Sequence, residues 1–173
     1  HFLNTYTDKE KDILGKYSSS LFTLNSFYTA NKLIVGRSSI NSAGDFLLHF
    51  WNNVSQHMIQ WQELEHKEIT KVDLRENYIA TQSIVIQAMG RIGNYLFQHK
   101  EIELEQCLQR LENINWHRNS QQWYLRAINR NGRIITNKRA ALLIANVIKQ
   151  TLGLPLSANE VAAEETLERT LSE

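Results

Sequence analysis

The chain has 173 residues, 42% apolar and 21% charged, with a net charge of +1, one proline and seven glycines. These values exclude a disordered segment and argue against a turn-rich β architecture, so one soluble helical domain is the expectation. A lone cysteine, Cys107, rules out an internal disulfide framework and a cysteine-rich zinc site, which fits a cytoplasmic protein. The sequence holds no signal peptide and no run of eighteen apolar residues, so no membrane partner is expected. It begins with His1 rather than Met and reads as a fragment of a longer chain.

Thr7-Asp8-Lys9-Glu10 has the form of a capping box that opens a short helix to about Leu14, stopped by Gly15. Leu21, Leu24, Phe27, Tyr28 and Leu33 keep a three-to-four spacing and predict a helix over about 19–34, with Gly36 just beyond its end. Phe46, Leu47, Phe50, Trp51, Val54, His57, Met58 and Trp61 form one apolar stripe and predict a long amphipathic helix over roughly 42–65. The charged link EHKEITKVDLREN follows, then a largely buried helix over about 79–99 and an amphipathic one in ELEQCLQRLENI. Cys107 sits on the inner spacing of the latter and reads as a buried, inert thiol.

A short helix is expected near Gln121 to Ile128, and Asn131-Gly132 signals a turn. After it, Ile134-Ile135 is a candidate to pair with Leu125 to Ile128 in a tiny hairpin. Thr136 is a good N-cap for a helix ending at Leu152, with Gly153 after it and Pro155 just beyond. Ser157-Ala158-Asn159-Glu160 is a second capping box and opens a terminal acidic helix. The expected fold is all-α: a helical domain of six to seven helices over 1–156, with an acidic helix over 157–173 packed on it or on a partner.

Candidate chemistry is sparse. Glu63-x-x-His66 matches the E-x-x-H step of di-iron bundles, but that site needs a second such step and two further carboxylates. His49 and His57 share a helical face without a third ligand. Gly90-Arg91-Ile92-Gly93 matches the G-x-x-G loop of KH domains, yet it lies inside an apolar helical run. Close approach of two helices is the plainer reason for glycine there. No nucleophile elbow, P-loop or dinucleotide fingerprint occurs. The chain is therefore expected to have no catalytic residue, no metal and no cofactor.

Charge is unevenly spread. Arg110, Arg118, Arg126, Arg130, Arg133, Lys138, Arg139 and Lys149 face a single acid, Glu112, within one segment, a balance of +7. From Leu154 onward five glutamates face only Arg169, a balance of −4. Trp116, Trp123 and Tyr124 interleave with the arginines. Lys138 and Arg139 fall in the first turn of the Thr136 helix, where cations oppose the macrodipole and a bound anion would relieve the conflict. Charge alone leaves two readings open: contact with phosphate, or a solvated turn with pairing to the acidic terminal helix.

The stretches LFTLNSFYTANKLI, SIVIQAMGRIGNYL, INWHRNS and GRIITNKRAALLIANVIKQTLGLPL occur in this order. Together they resemble the C-terminal part of the DndB family of DNA sulfur modification proteins, from about Leu21 to Leu156. The resemblance implies a part in bacterial DNA phosphorothioation, in which sulfur replaces a non-bridging oxygen of the backbone. The system's chemistry resides in a cysteine desulfurase, a sulfurtransferase-like enzyme and an ATPase. DndB-like members act as regulators that bind DNA and repress the modification operon. The family's D-G-Q-H-R motif belongs to an N-terminal domain and is absent from this chain, in keeping with a fragment that starts after it.

On this resemblance Arg133, Lys138 and Arg139, inside the GRIITNKRAALL block, are the first candidates for DNA contact, with Arg126 and Arg130 next. The region from Gln121 through the Thr136 helix would frame a helix-turn-helix-like unit. Its connection, over about 129–135, is longer than the usual three or four residues, which favours backbone contact over groove reading. The expected partners are DNA phosphate, other sulfur-modification proteins and a second copy of the chain. The alternative is a non-catalytic scaffold or oligomerisation domain of the same system.

Overall fold

A computed structural model of the chain describes residues 2–11, 13–15 and 18–173. In chain order the elements are α1 (Phe2–Tyr6), β1 (Thr7–Asp8), β2 (Phe22–Thr23), α2 (Leu24–Val35), α3 (Gly44–His57), α4 (Ile59–Glu65), α5 (Lys71–Asn77), α6 (Ser83–Gln98), α7 (Leu104–Leu108), α8 (Lys138–Leu152) and α9 (Ala158–Ser172). A 3₁₀ segment extends α7 over Gln109–Asn113, and a single 3₁₀ turn stands at Gln121–Trp123. Among the described residues the fold is mostly helical, as expected, and its only sheet is the parallel pair β1–β2.

Helix α6 is the hub. Ile84, Val85, Ile86, Ala88, Met89, Ile92 and Leu96 are all buried, too many for one stripe, and the helix packs between α2 and α8. Gly90 and Gly93 face α2. A Cβ at Gly90 would stand 3.2 Å from the Ala30 backbone, and one at Gly93 would stand 2.6 Å from Ile34 Cγ1. Asn94 then donates from Nδ2 to the Ile34 carbonyl at 3.1 Å. The G-x-x-G sequence is therefore a helix-crossing device, as read above. On the other face α8 presents Ala140, Ala141, Ile144, Ala145, Ile148 and Leu152 to the core.

Four local expectations need correction. Thr7 does not open a helix: its hydroxyl donates to the Leu3 carbonyl, and Asp8 Oδ1 instead accepts the N–H groups of Glu10 and Lys11 at 2.9 and 3.0 Å. Thr7 and Asp8 pair with Phe22 and Thr23 as strand; part of the helix expected to about Leu14 lies outside the described residues. The long helix over 42–65 is broken at Met58, which takes extended backbone (φ −84°, ψ 100°). The break turns α4 so that Trp61 reaches Phe2 and Phe22, with ring centroids 5.5 and 5.1 Å apart. Ser55's carbonyl, which a continuous helix would bond to the N–H of Ile59, is taken by Gln62 Nε2 at 2.7 Å.

The charged link contains α5, because Thr70 caps it by accepting the Asp73 N–H and Leu74 is buried. Helix α8 starts one residue later than expected, with Asn137 rather than Thr136 as its cap. Asn137 Oδ1 accepts the Ala140 N–H at 2.9 Å. The ends at Gly36 and Gly153 fall where expected, and so does the Ser157–Glu160 capping box.

The α2–α6 crossing can be tested directly. Gly93→Val drives methyl groups into Ile34 and Phe50 and should cost about 2–3 kcal/mol as overpacking. A Cβ at Gly44 meets nothing within 4 Å, so Gly44→Ala should stay within about 0.5 kcal/mol of the parent. Urea denaturation of the two variants is the check, and equal midpoints would contradict the crossing.

Candidate nucleic-acid interface

The basic segment is built on two stacked indoles. Trp116 and Trp123 lie 5.3 Å apart with planes 9° from parallel, and both are buried. Trp123 Nε1 donates to the Asn115 carbonyl at 2.7 Å. Just beyond, the Trp123 carbonyl accepts the N–H groups of Arg126, Ala127 and Ile128, and Leu125 donates to the Ile128 carbonyl at 2.7 Å. Leu125 closes this loop in the left-handed region, φ +57°, which an L side chain adopts at a cost in strain. The helix expected near Gln121 to Ile128 is thus reduced to one 3₁₀ turn, and no two-helix unit forms with α8.

The candidate hairpin is present. Ile128 bridges Ile134 in antiparallel fashion, Asn129 donates to the Arg133 carbonyl, and Ile135 donates to the Ala127 carbonyl, each at 2.8 Å. Asn129 Oδ1 braces the tip by accepting the N–H groups of Asn131 and Arg133, both at 2.9 Å. Gly132 supplies the positive φ, +76°, that the turn requires. Ile134 and Ile135 pack half-buried against the core. The hairpin is therefore fixed from both its tip and its base.

Eight cations were singled out in this segment, and the structure sorts them. Arg126, at 12% side-chain exposure, pairs with Glu164 at 14%; its Nη2 donates to Glu164 Oε2 at 2.8 Å, and Nη1 bonds both that carboxylate and the Leu143 carbonyl. Its Nε donates to Gln122 O. Lys149 is buried and donates to Glu160 Oε1 at 2.8 Å. Arg110 bonds the Leu152 carbonyl at the end of α8. Arg126 is thus separated from the other four candidates: its guanidinium holds α9 against α8.

Arg130, Arg133, Lys138 and Arg139 are exposed, and among the described residues none has an acidic partner within ion-pair distance. They stand within ten consecutive residues, on the hairpin tip and the first turn of α8, which contains no acid. Arg118 was not a site candidate, yet it meets Arg130 at a recess of about 230 Å³ that also takes in Asn119, Gln121, Tyr124 and Asn129. Linear sequence places these two arginines twelve residues apart; only the loop wound on Trp123 joins them.

The remaining candidates stay apart. No group of three or more His, Cys, Asp or Glu side chains that could hold a metal exists among the described residues. Cys107 is buried, and burial pushes its thiol pKa up, as expected of an inert thiol. Among the described residues no helix is long and apolar enough to cross a membrane.

The family model described as DndB, DNA-sulfur modification-associated, matches residues 1–155. No curated protein and no solved structure matches the chain.

Burial raises the pKa of Glu164, but the hydrogen bonds from Arg126 and Asn146 and the Arg126 charge outweigh it and leave it below the usual value. Glu160 is lowered in the same way, by Lys149 and Ser157 against burial. A lowered folded pKa adds stability above the unfolded value, about 4.3, and that stability is lost as pH falls through the folded value. Glu164→Ala should therefore cost about 3 kcal/mol at neutral pH, leaving Arg126 buried without its partner, and should shrink the loss of stability on acidification. Urea denaturation across a pH series measures both, with exposed Glu165→Ala as control; equal losses in the two variants would contradict the clamp.

Proposed function

From the premise that the chain belongs to the DndB family of DNA-sulfur modification-associated proteins, we propose that it is a non-enzymatic, DNA-binding regulator that represses the modification operon. The observation that carries the reading is the set of four exposed cations without an acidic partner among the described residues, Arg130, Arg133, Lys138 and Arg139, on a braced hairpin and a helix start. Arginine forks and a lysine point charge suit phosphate oxygens. The free N–H groups at the start of α8 add donors of the same polarity. An anion there offsets the opposition between Lys138, Arg139 and the helix dipole.

The hairpin tip is rigid before DNA arrives, so few conformations are lost on contact. Phosphate contacts of this kind fix position and orientation without reading bases. Binding works in the cytoplasm, and repression follows from occupancy of the operon's control region. Other sulfur-modification proteins are the further partners.

A second reading, a scaffold or oligomerisation domain, draws on a different surface. Leu24 and Leu48, 50% and 65% exposed, flank a recess of about 560 Å³ between α2 and α3. Sedimentation over a range of concentrations separates it from the first: a monomer that binds DNA supports the regulator, and a dimer without DNA affinity supports the scaffold.

Replacing Arg130, Arg133, Lys138 and Arg139 together by Ala should weaken binding to duplex DNA and flatten its salt dependence. With slopes near −0.9 per phosphate contact, loss of four contacts should make the log–log slope less steep by about 3.6 units. Fluorescence anisotropy at several salt concentrations is the measurement. A slope that stays at the parent's value removes the basic surface from the contact.

A further inference from the structure

The recess beside the hairpin differs in kind from the convex basic tip. No acidic side chain lines it, and it brings together two arginines, an aromatic ring and several amides. Arg118 Nε is buried yet has no hydrogen-bond partner, and no ion pair engages Arg118 among the described residues. A buried guanidinium N–H left unpaired is costly; Arg118 lines the recess, and a small rotation of its side chain would bring this donor to an acceptor held there. Tyr124, 41% exposed, borders the same recess. Unlike Trp116 and Trp123, which stack on each other, it stacks on no other ring among the described residues.

We propose that this recess takes one nucleotide of DNA that has left the duplex stack: its base lies on Tyr124 and its phosphate is held by Arg118 and Arg130. The inference rests on the DNA-contact reading above and names the form of DNA that the site prefers. At about 230 Å³ the space is smaller than a typical ligand site of roughly 300 Å³ or more, which suits a single base with its phosphate at the rim rather than a double-helical segment. Aromatic faces accept any base, while Asn119 and Gln121 offer donors and acceptors to a base edge that only an unpaired nucleotide exposes. The recess is held in shape before binding. Leu125's strained backbone and the triply bonded Trp123 carbonyl fix the wall that carries Tyr124, and Asn129 fixes the wall that carries Arg130. Arg130 would then serve both surfaces, so DNA leaving the basic tip enters the recess without a break in positive charge.

Three fluorescent probes test this on the full 173-residue chain: a perfect duplex, the same duplex with a one-nucleotide bulge, and a single strand of equal length. The expected result is affinity about tenfold higher for the bulged and single-stranded probes than for the perfect duplex, from one stacked base. Tyr124→Ala should remove that preference, and Tyr124→Phe, which keeps the ring, should retain it. Arg118→Lys keeps the charge but not the fork, and should weaken only the two unpaired probes. Equal affinity for all three probes, or a preference untouched by Tyr124→Ala, overturns the pocket and leaves the duplex contact standing. Absence of binding to every probe overturns both.

Discussion

Helix α6 supports the rest of the structure because two of its positions lack a side chain. Gly93 lets Ile34 approach to 2.6 Å of where a Cβ would stand, closer than a real Cβ tolerates, and Gly90 lets the Ala30 backbone come to a tight 3.2 Å. Each glycine costs about 1 kcal/mol of helix propensity relative to alanine. The return is a crossing in which α2 and α8 are held on two faces of one helix. The basic segment and the acidic helix are hung from the α8 side: the Trp123 loop through Arg126 and Leu143, the hairpin through its exit into α8, and α9 through its glutamates. The crossing lies far from the basic surface, yet it fixes the frame on which that surface is built.

The second constraint is the partition of positive charge. A segment with a balance of +7 would repel itself if every cation faced water on one side. Glu160 and Glu164 draw Lys149 and Arg126 into the protein, with Asn146 bridging to Glu164 at 3.0 Å. Of the two readings of the charge pattern, pairing with the terminal helix holds for Arg126 and Lys149; among the described residues Arg130, Arg133, Lys138 and Arg139 have no acidic partner. Helix α9 lies beyond the family match, which ends at residue 155, and supplies the electrostatic partners of Arg126 and Lys149 in the matched part.

Most helices were legible because their periodicity is strong and their ends are chemically marked: α6 and α8 by apolar faces, α9 by its capping box, α2 and α8 by the glycines after them. What misled was tertiary. The stripe from Phe46 to Trp61 is continuous in sequence, and nothing local reveals that Met58 turns so that Trp61 can reach Phe2 and Phe22. Thr7 fits a cap pattern, but Asp8 competes for the same N–H and wins. At the candidate site the residue types were readable and the partners were not. Arg126 and Arg130 look equivalent in the sequence, and only the fold puts Glu164 against the first. Arg118 was counted in the basic segment, but nothing local tied it to Arg130, because that neighbour across the recess arrives through the left-handed turn at Leu125, a conformation that leucine does not advertise. Ile134 and Ile135 make sense only as the return strand of the hairpin and its packing edge.

A net charge of +1 is low for a chain with a surface proposed for DNA, and the geometry of α8 removes the conflict. Its basic start and the Lys149–Glu160 pair are eleven residues apart, about 16 Å at 1.5 Å per residue. At physiological salt the Debye length is about 8 Å, so the Glu160 end of the acidic helix contributes little to the potential at the hairpin. A phosphate approaching Arg133 and Lys138 meets the local field, not the sum over the chain. The glutamates that α9 directs inward, Glu160 and Glu164, are in addition neutralised by their own partners. What sets affinity at the proposed interface is then the arrangement of a few cations on a rigid turn, and whole-chain charge is a poor guide to it.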